Sequence, residues 1–88
     1  MGTAKVNEPE VFERVALTIE KLLRTVNRDV NSQIKRETNI YDDLGIDSVE
    51  VMDLLGLFEA EFGVSIDVEK AVGNKTVGDI SNFVLACL

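Results

Sequence analysis

Residues 43–48 read Asp-Leu-Gly-Ile-Asp-Ser and run on into Val49, Glu50, Val51, Met52, Asp53, Leu54 and Leu55. The nucleophile of this stretch is the Ser48 hydroxyl. Gly45 permits a tight approach to the next element. From residue 48 onward the apolar spacing is helical, so Ser48 stands at a helix start. A helix N-terminus offers unpaired N–H groups and the positive end of a dipole, and both stabilise an anion. The same position suits a serine that merely caps the helix. From residue types alone, both uses stand.

The other reactive side chains are scarce. The chain has no histidine and one cysteine, Cys87. The usual general base is therefore missing, a structural zinc site is not expected, and an internal disulfide is impossible. A self-sufficient hydrolase is the least favoured class. Asp43 and Asp47 are spaced suggestively for calcium. No EF-hand loop with its central glycine and closing glutamate fits around them, so no metal site is assigned.

The elements that must position Ser48 follow from periodicity. Val11, Val15, Ile19, Leu22 and Val26 share one helical face, widened by Phe12, Ala16 and Leu23. This predicts a first helix over 9–26. Asn7 stands as its cap and acids in its first turn. A long connection spans 27–47, with Val30, Ile34, Ile40, Tyr41, Leu44 and Ile46 spaced to pin it down and a short helical turn near 40–44. The second helix should run over 48–62, stopped by Gly63. It is apolar around much of its circumference and should lie centrally. A short third helix over 67–72, capped by Asp67, and a last helix capped by Thr76 complete the chain. Val77, Ile80, Phe83, Val84 and Cys87 fall at helical spacing in that last helix. The expected fold class is all-α, a bundle of three longer helices and one short, in a single domain over 1–88 with a flexible stretch at 1–7.

Composition narrows the partners. The 88 residues are 45% hydrophobic and carry a net charge of −7, which fits one small folded domain. Nine acids and no Lys or Arg lie within 42–69, while the remainder has seven acids and nine bases. Nucleic acid and anionic membranes are poor partners for that central segment, and basic protein surfaces are good ones. No apolar run approaches the roughly 20 residues of a membrane span, and no secretory or lipidation signal is visible. A cytoplasmic monomer is expected.

Asp43-Leu44-Gly45-Ile46-Asp47-Ser48, opening an acidic helix, resembles the phosphopantetheine attachment site of acyl and peptidyl carrier proteins. Residues 59–66, Glu-Ala-Glu-Phe-Gly-Val-Ser-Ile, resemble the family's acidic helix end and loop. Thr76-Val77-Gly78-Asp79-Ile80, with Phe83-Val84 beyond, resembles the start of its last helix. The resemblance implies a four-helix carrier bundle and a 4'-phosphopantetheine arm on Ser48, flanked by Val49 and by Asp47, which helps the transferase hold its metal or else serves as a local cap. It implies that a separate transferase moves the arm from coenzyme A using magnesium, and that the arm's thiol, not Cys87, bears an acyl group as a thioester. It further implies that Glu50, Asp53, Gly56, Glu59 and Glu61 meet basic patches on the transferase and the acyl-processing enzymes.

Some residues depart from the family pattern. Val49 stands where Leu is commoner, Gly56 where an apolar side chain is frequent, Ala60 in place of an acid, and Asp67 in place of Pro. These point to a dedicated pathway rather than housekeeping fatty-acid synthesis. Val51, Met52, Leu55, Phe58, Ile66, Val72 and Ile80 are placed either to line an acyl cavity or, more commonly, to fill a core. The alternatives are an aminoacyl or peptidyl carrier and an unmodified helical interaction module.

Overall fold

The computed structural model describes residues 8–25 and 34–88. The expected cap Asn7, the flexible stretch 1–7, Val26 and Val30 lie outside them. Among the described residues there are four helices and no strand: α1 (Glu8–Thr25), α2 (Ser48–Phe62), α3 (Val68–Ala71) and α4 (Val77–Cys87). None of them is long and apolar enough to cross a membrane. The all-helical expectation and its element order hold.

α1 buries the predicted stripe of Val11, Val15, Ile19, Leu22 and Leu23. Thr18 is buried with it, and its hydroxyl donates to the Arg14 carbonyl at 2.8 Å. α4 packs chiefly on α1 and buries Val77, Gly78, Ile80, Ser81 and Val84. Phe58 of α2 is 0% exposed. Truncating such a ring costs about 3–5 kcal/mol.

The central position expected for α2 is not what forms. Val51, Leu54, Leu55 and Phe58 are buried, but Val49, Met52 and Leu57 are exposed. The pairing of α1 with α4 closes the core, so α2 covers it with one face only. The cavity set divides the same way. Val51, Leu55, Phe58, Ile66 and Ile80 belong to the filled core, whereas Met52 and Val72 lie at the surface.

The connection into α2 is held by its isoleucines and its backbone. Ile34, Ile40 and Ile46 are buried. Ile40 N–H donates to the Lys75 carbonyl at 2.7 Å, Val77 N–H to Thr38 at 2.9 Å, and Gly78 N–H to Arg36 at 2.9 Å. An isolated bridge pairs Asn39 with Thr76. The segment is thus stitched to the front of α4. A Cβ on Gly78 would stand 3.0 Å from the Arg36 carbonyl oxygen, so the missing side chain permits this approach.

Candidate functional site

The turn expected near 40–44 is present and determines where Ser48 sits. Asn39 Oδ1 accepts from the N–H groups of Tyr41 at 2.9 Å and Asp42 at 2.8 Å. Asp43 Oδ2 accepts from Asn39 N–H at 2.7 Å, so the first acid of the motif is spent on the turn. Gly45 comes next at φ 67°, a conformation that costs a residue bearing a Cβ about 1–2 kcal/mol. Ile46 is buried and anchors the chain. The Tyr41 hydroxyl donates to the Val72 carbonyl at 3.0 Å and ties the turn to the end of α3.

Asp47, not Ser48, is the N-cap of α2. Its carboxylate accepts from Glu50 N–H at 2.8 Å, while the Glu50 carboxylate accepts from Asp47 N–H at 3.1 Å. This is a complete capping box. The reading of Ser48 as a cap is therefore overturned. Ser48 is the first helical residue and is exposed. Of the two uses open to Asp47, local capping is the one present in the structure, and Glu50 completes it.

This geometry fits a phosphodiester. The Ser48 hydroxyl opens a helix of 15 residues, at the end where the first N–H groups lack intrahelical acceptors and the dipole is positive. The hydroxyl is not needed for capping, so esterifying it removes no bond that holds the helix.

The acids assigned to partners sit in different situations. Asp53 is exposed. Glu50 is half-buried in the capping box. Glu59 turns inward, its Oε2 accepting from Ile66 N–H at 2.7 Å and securing the loop after α2. Glu61 is clamped by Arg14, with contacts of 3.0 Å from Nε and 2.8 Å from a terminal nitrogen. The same guanidinium lies 4.7 Å from the Phe62 ring centre. Gly56 is exposed, with nothing within 4 Å of where a Cβ would stand. Sequence reasoning missed that Leu57 and Ala60 join Val49, Met52 and Gly56 on one open face. Successive steps of three and four residues from Val49 give the signal.

Among the described residues no cluster of acids, cysteine or histidine is arranged to hold a metal. A surface cleft of about 350 Å³ lies between α1 and α2, lined by Thr18, Leu22, Leu57 and Ala60 among others. It does not include Ser48.

Residues 15–84 match the family model described as "Phosphopantetheine attachment site". An acyl carrier protein of Thermotoga maritima is 37% identical over 75 residues, covering 85% of this chain and 88% of the relative. Acyl carrier proteins of Trieres chinensis and Exiguobacterium sibiricum are 32% and 31% identical, covering 88% and 82% of this chain and 91% of each relative. The cofactor of that family is 4'-phosphopantetheine, and the chain belongs to the acyl carrier protein family.

Proposed function

We propose that Ser48 carries the 4'-phosphopantetheine arm and that the protein holds an acyl intermediate on it for delivery to enzymes of a fatty-acid, polyketide or related specialised pathway. The observation that carries this reading is an exposed serine at the first position of α2, inside the matched family region, with its capping duty taken by Asp47. In loading, the Ser48 oxygen forms a bond to the phosphorus of coenzyme A nearest the pantetheine. The bond to the bisphosphorylated adenosine moiety breaks, and the hydroxyl proton leaves. The chain's own part is to present the oxygen, keep the turn before it rigid and hold the new anion at the helix end. Once attached, the arm supplies a thiol for thioester formation.

The protein is in this reading a non-catalytic, cytoplasmic, monomeric substrate of a phosphopantetheinyl transferase. Asp47 helps the transferase hold its magnesium while continuing to cap α2. The test is intact-mass spectrometry after incubation with coenzyme A and a broad-specificity transferase, beside Ser48→Ala. Wild type is expected to gain one phosphopantetheine group, and the variant none while still folding. A folded wild type that gains no mass removes the carrier reading and leaves a helical interaction module.

A further inference from the structure

The sign of the surface charge reverses along α1. The chain as a whole carries −7, yet a hollow on the outside of α1 is lined by Arg14, Lys21 and Arg24, with Glu20 and Glu61 among them. Arg14 holds Glu61 at 2.8 Å, and Arg24 stands 3.6 Å from Glu20. Lys21 is exposed and forms no ion pair among the described residues. Its charge is left for something outside the chain.

Lys21 stands over a groove. The cleft between α1 and α2 and this second hollow, of about 200 Å³, share Thr18, Lys21 and Glu61 and so run together. Leu22, Leu57 and Ala60 line one end and Leu17 the other. Leu17 is 53% exposed and Leu57 41%. The hydroxyls along the groove are already spent, since Thr18 and Thr25 donate to the carbonyls of Arg14 and Lys21. What remains on offer is apolar surface beneath a positive rim.

Length and charge together select the occupant. From Arg14 to Thr25 the groove follows α1 for about 17 Å, at about 1.5 Å per residue. A partner helix of three turns has that length. Helices that dock in grooves insert an apolar stripe and leave their charges at the rim, and complementarity to Lys21 and Arg24 asks for acids beside the stripe. A short amphiphilic anion would satisfy the charge but fill only one of the two hollows.

We propose that this groove is a docking site for an acidic amphipathic helix of a partner protein, whose apolar stripe covers Leu17 and Leu57 and whose carboxylates meet Lys21 and Arg24. Such a partner is opposite in sign to the basic surfaces that suit residues 42–69. The groove does not include Ser48, and the proposal stands whether or not Ser48 carries the arm.

The experiment is a titration of the isotope-labelled protein, followed by amide resonances, with two lactam-locked helical peptides of about 14 residues. Both carry leucine at i, i+3, i+4 and i+7, and one has Glu beside the stripe where the other has Lys. The Glu peptide is expected to shift Thr18, Lys21, Leu22 and Ala60, and the Lys peptide to leave them in place. Exposed ion pairs are individually weak, so Lys21→Glu and Arg24→Glu are combined. The double variant should bind the Glu peptide about tenfold more weakly, and Leu17→Gln about threefold. Both should keep the circular dichroism of wild type, since all three side chains are exposed. A Glu peptide that leaves these resonances in place overturns the site, and so does one that binds the double variant as tightly as wild type. Octanoate moving them where the Glu peptide does not would give the groove to a small amphiphilic anion and overturn the helix. Resonances there that move with protein concentration alone would give it to a second copy, with the same consequence.

Discussion

At the site, Asp47 has two jobs that substitution separates. Its carboxylate caps α2 through Glu50 N–H, and in the proposed function it also helps the transferase hold magnesium. Asn is as good an N-cap as Asp, whereas Ala removes the cap at a cost of about 1 kcal/mol. Asp47→Ala should lower the unfolding free energy in urea by about that amount. Asp47→Asn should stay within about 0.5 kcal/mol of wild type, the difference being the lost charge at the positive helix end. Loading by the transferase should slow in both. Slow loading in the stable Asn variant cannot come from a frayed helix and isolates the metal-holding role. Normal loading there removes that role and leaves Asp47 as a cap alone. The place of Ser48 at the start of α2 was legible from the apolar spacing. Its freedom from capping was not, because a serine and an aspartate at adjacent positions compete for one N–H, and only the backbone geometry decides which side chain reaches it.

The helices were legible wherever one face carried the signal, and the glycines of α2 and α4 show where that signal ends. α1, α3 and the stop of α2 at Gly63 came from apolar spacing and cap residues, which act locally. The exposed side of α2 did not, because an all-round apolar helix looks alike whether it is central or covers a core with one face. The pairing of α1 with α4, a long-range outcome, settles that. Gly78 and Gly56 are likewise indistinguishable as letters. At Gly78 a Cβ would stand 3.0 Å from the Arg36 carbonyl oxygen and 3.2 Å from the Arg36 Cβ. Alanine there must push the connecting segment away from α4, and overpacking of this kind costs about 1–3 kcal/mol. At Gly56 the space is open, so alanine should stabilise by about 0.5–1 kcal/mol through helix propensity. Thermal or urea unfolding of Gly78→Ala and Gly56→Ala should therefore shift in opposite directions. A shift of the same sign for both would contradict the packing of residues 34–38 against α4.

Over the whole molecule, charge and contact make different contributions to recognition, and salt tells them apart. The net charge of −7 is concentrated in 42–69, but not all of that acid is offered outward. Glu50 and Glu59 bond within the chain, and Glu61 is offset by Arg14. What remains exposed, Asp53 included, gives a field that steers encounter from a distance. Fields of this kind are screened: the Debye length falls from about 10 Å at 0.1 M to about 3 Å at 1 M. Apolar seating at short range is not weakened by salt in the same way, since it depends on area removed from water. Raising ionic strength from about 0.1 M to about 1 M should therefore lower kcat/KM for transferase loading, chiefly through KM. A loading rate indifferent to salt would mean that the acidic segment serves solubility alone.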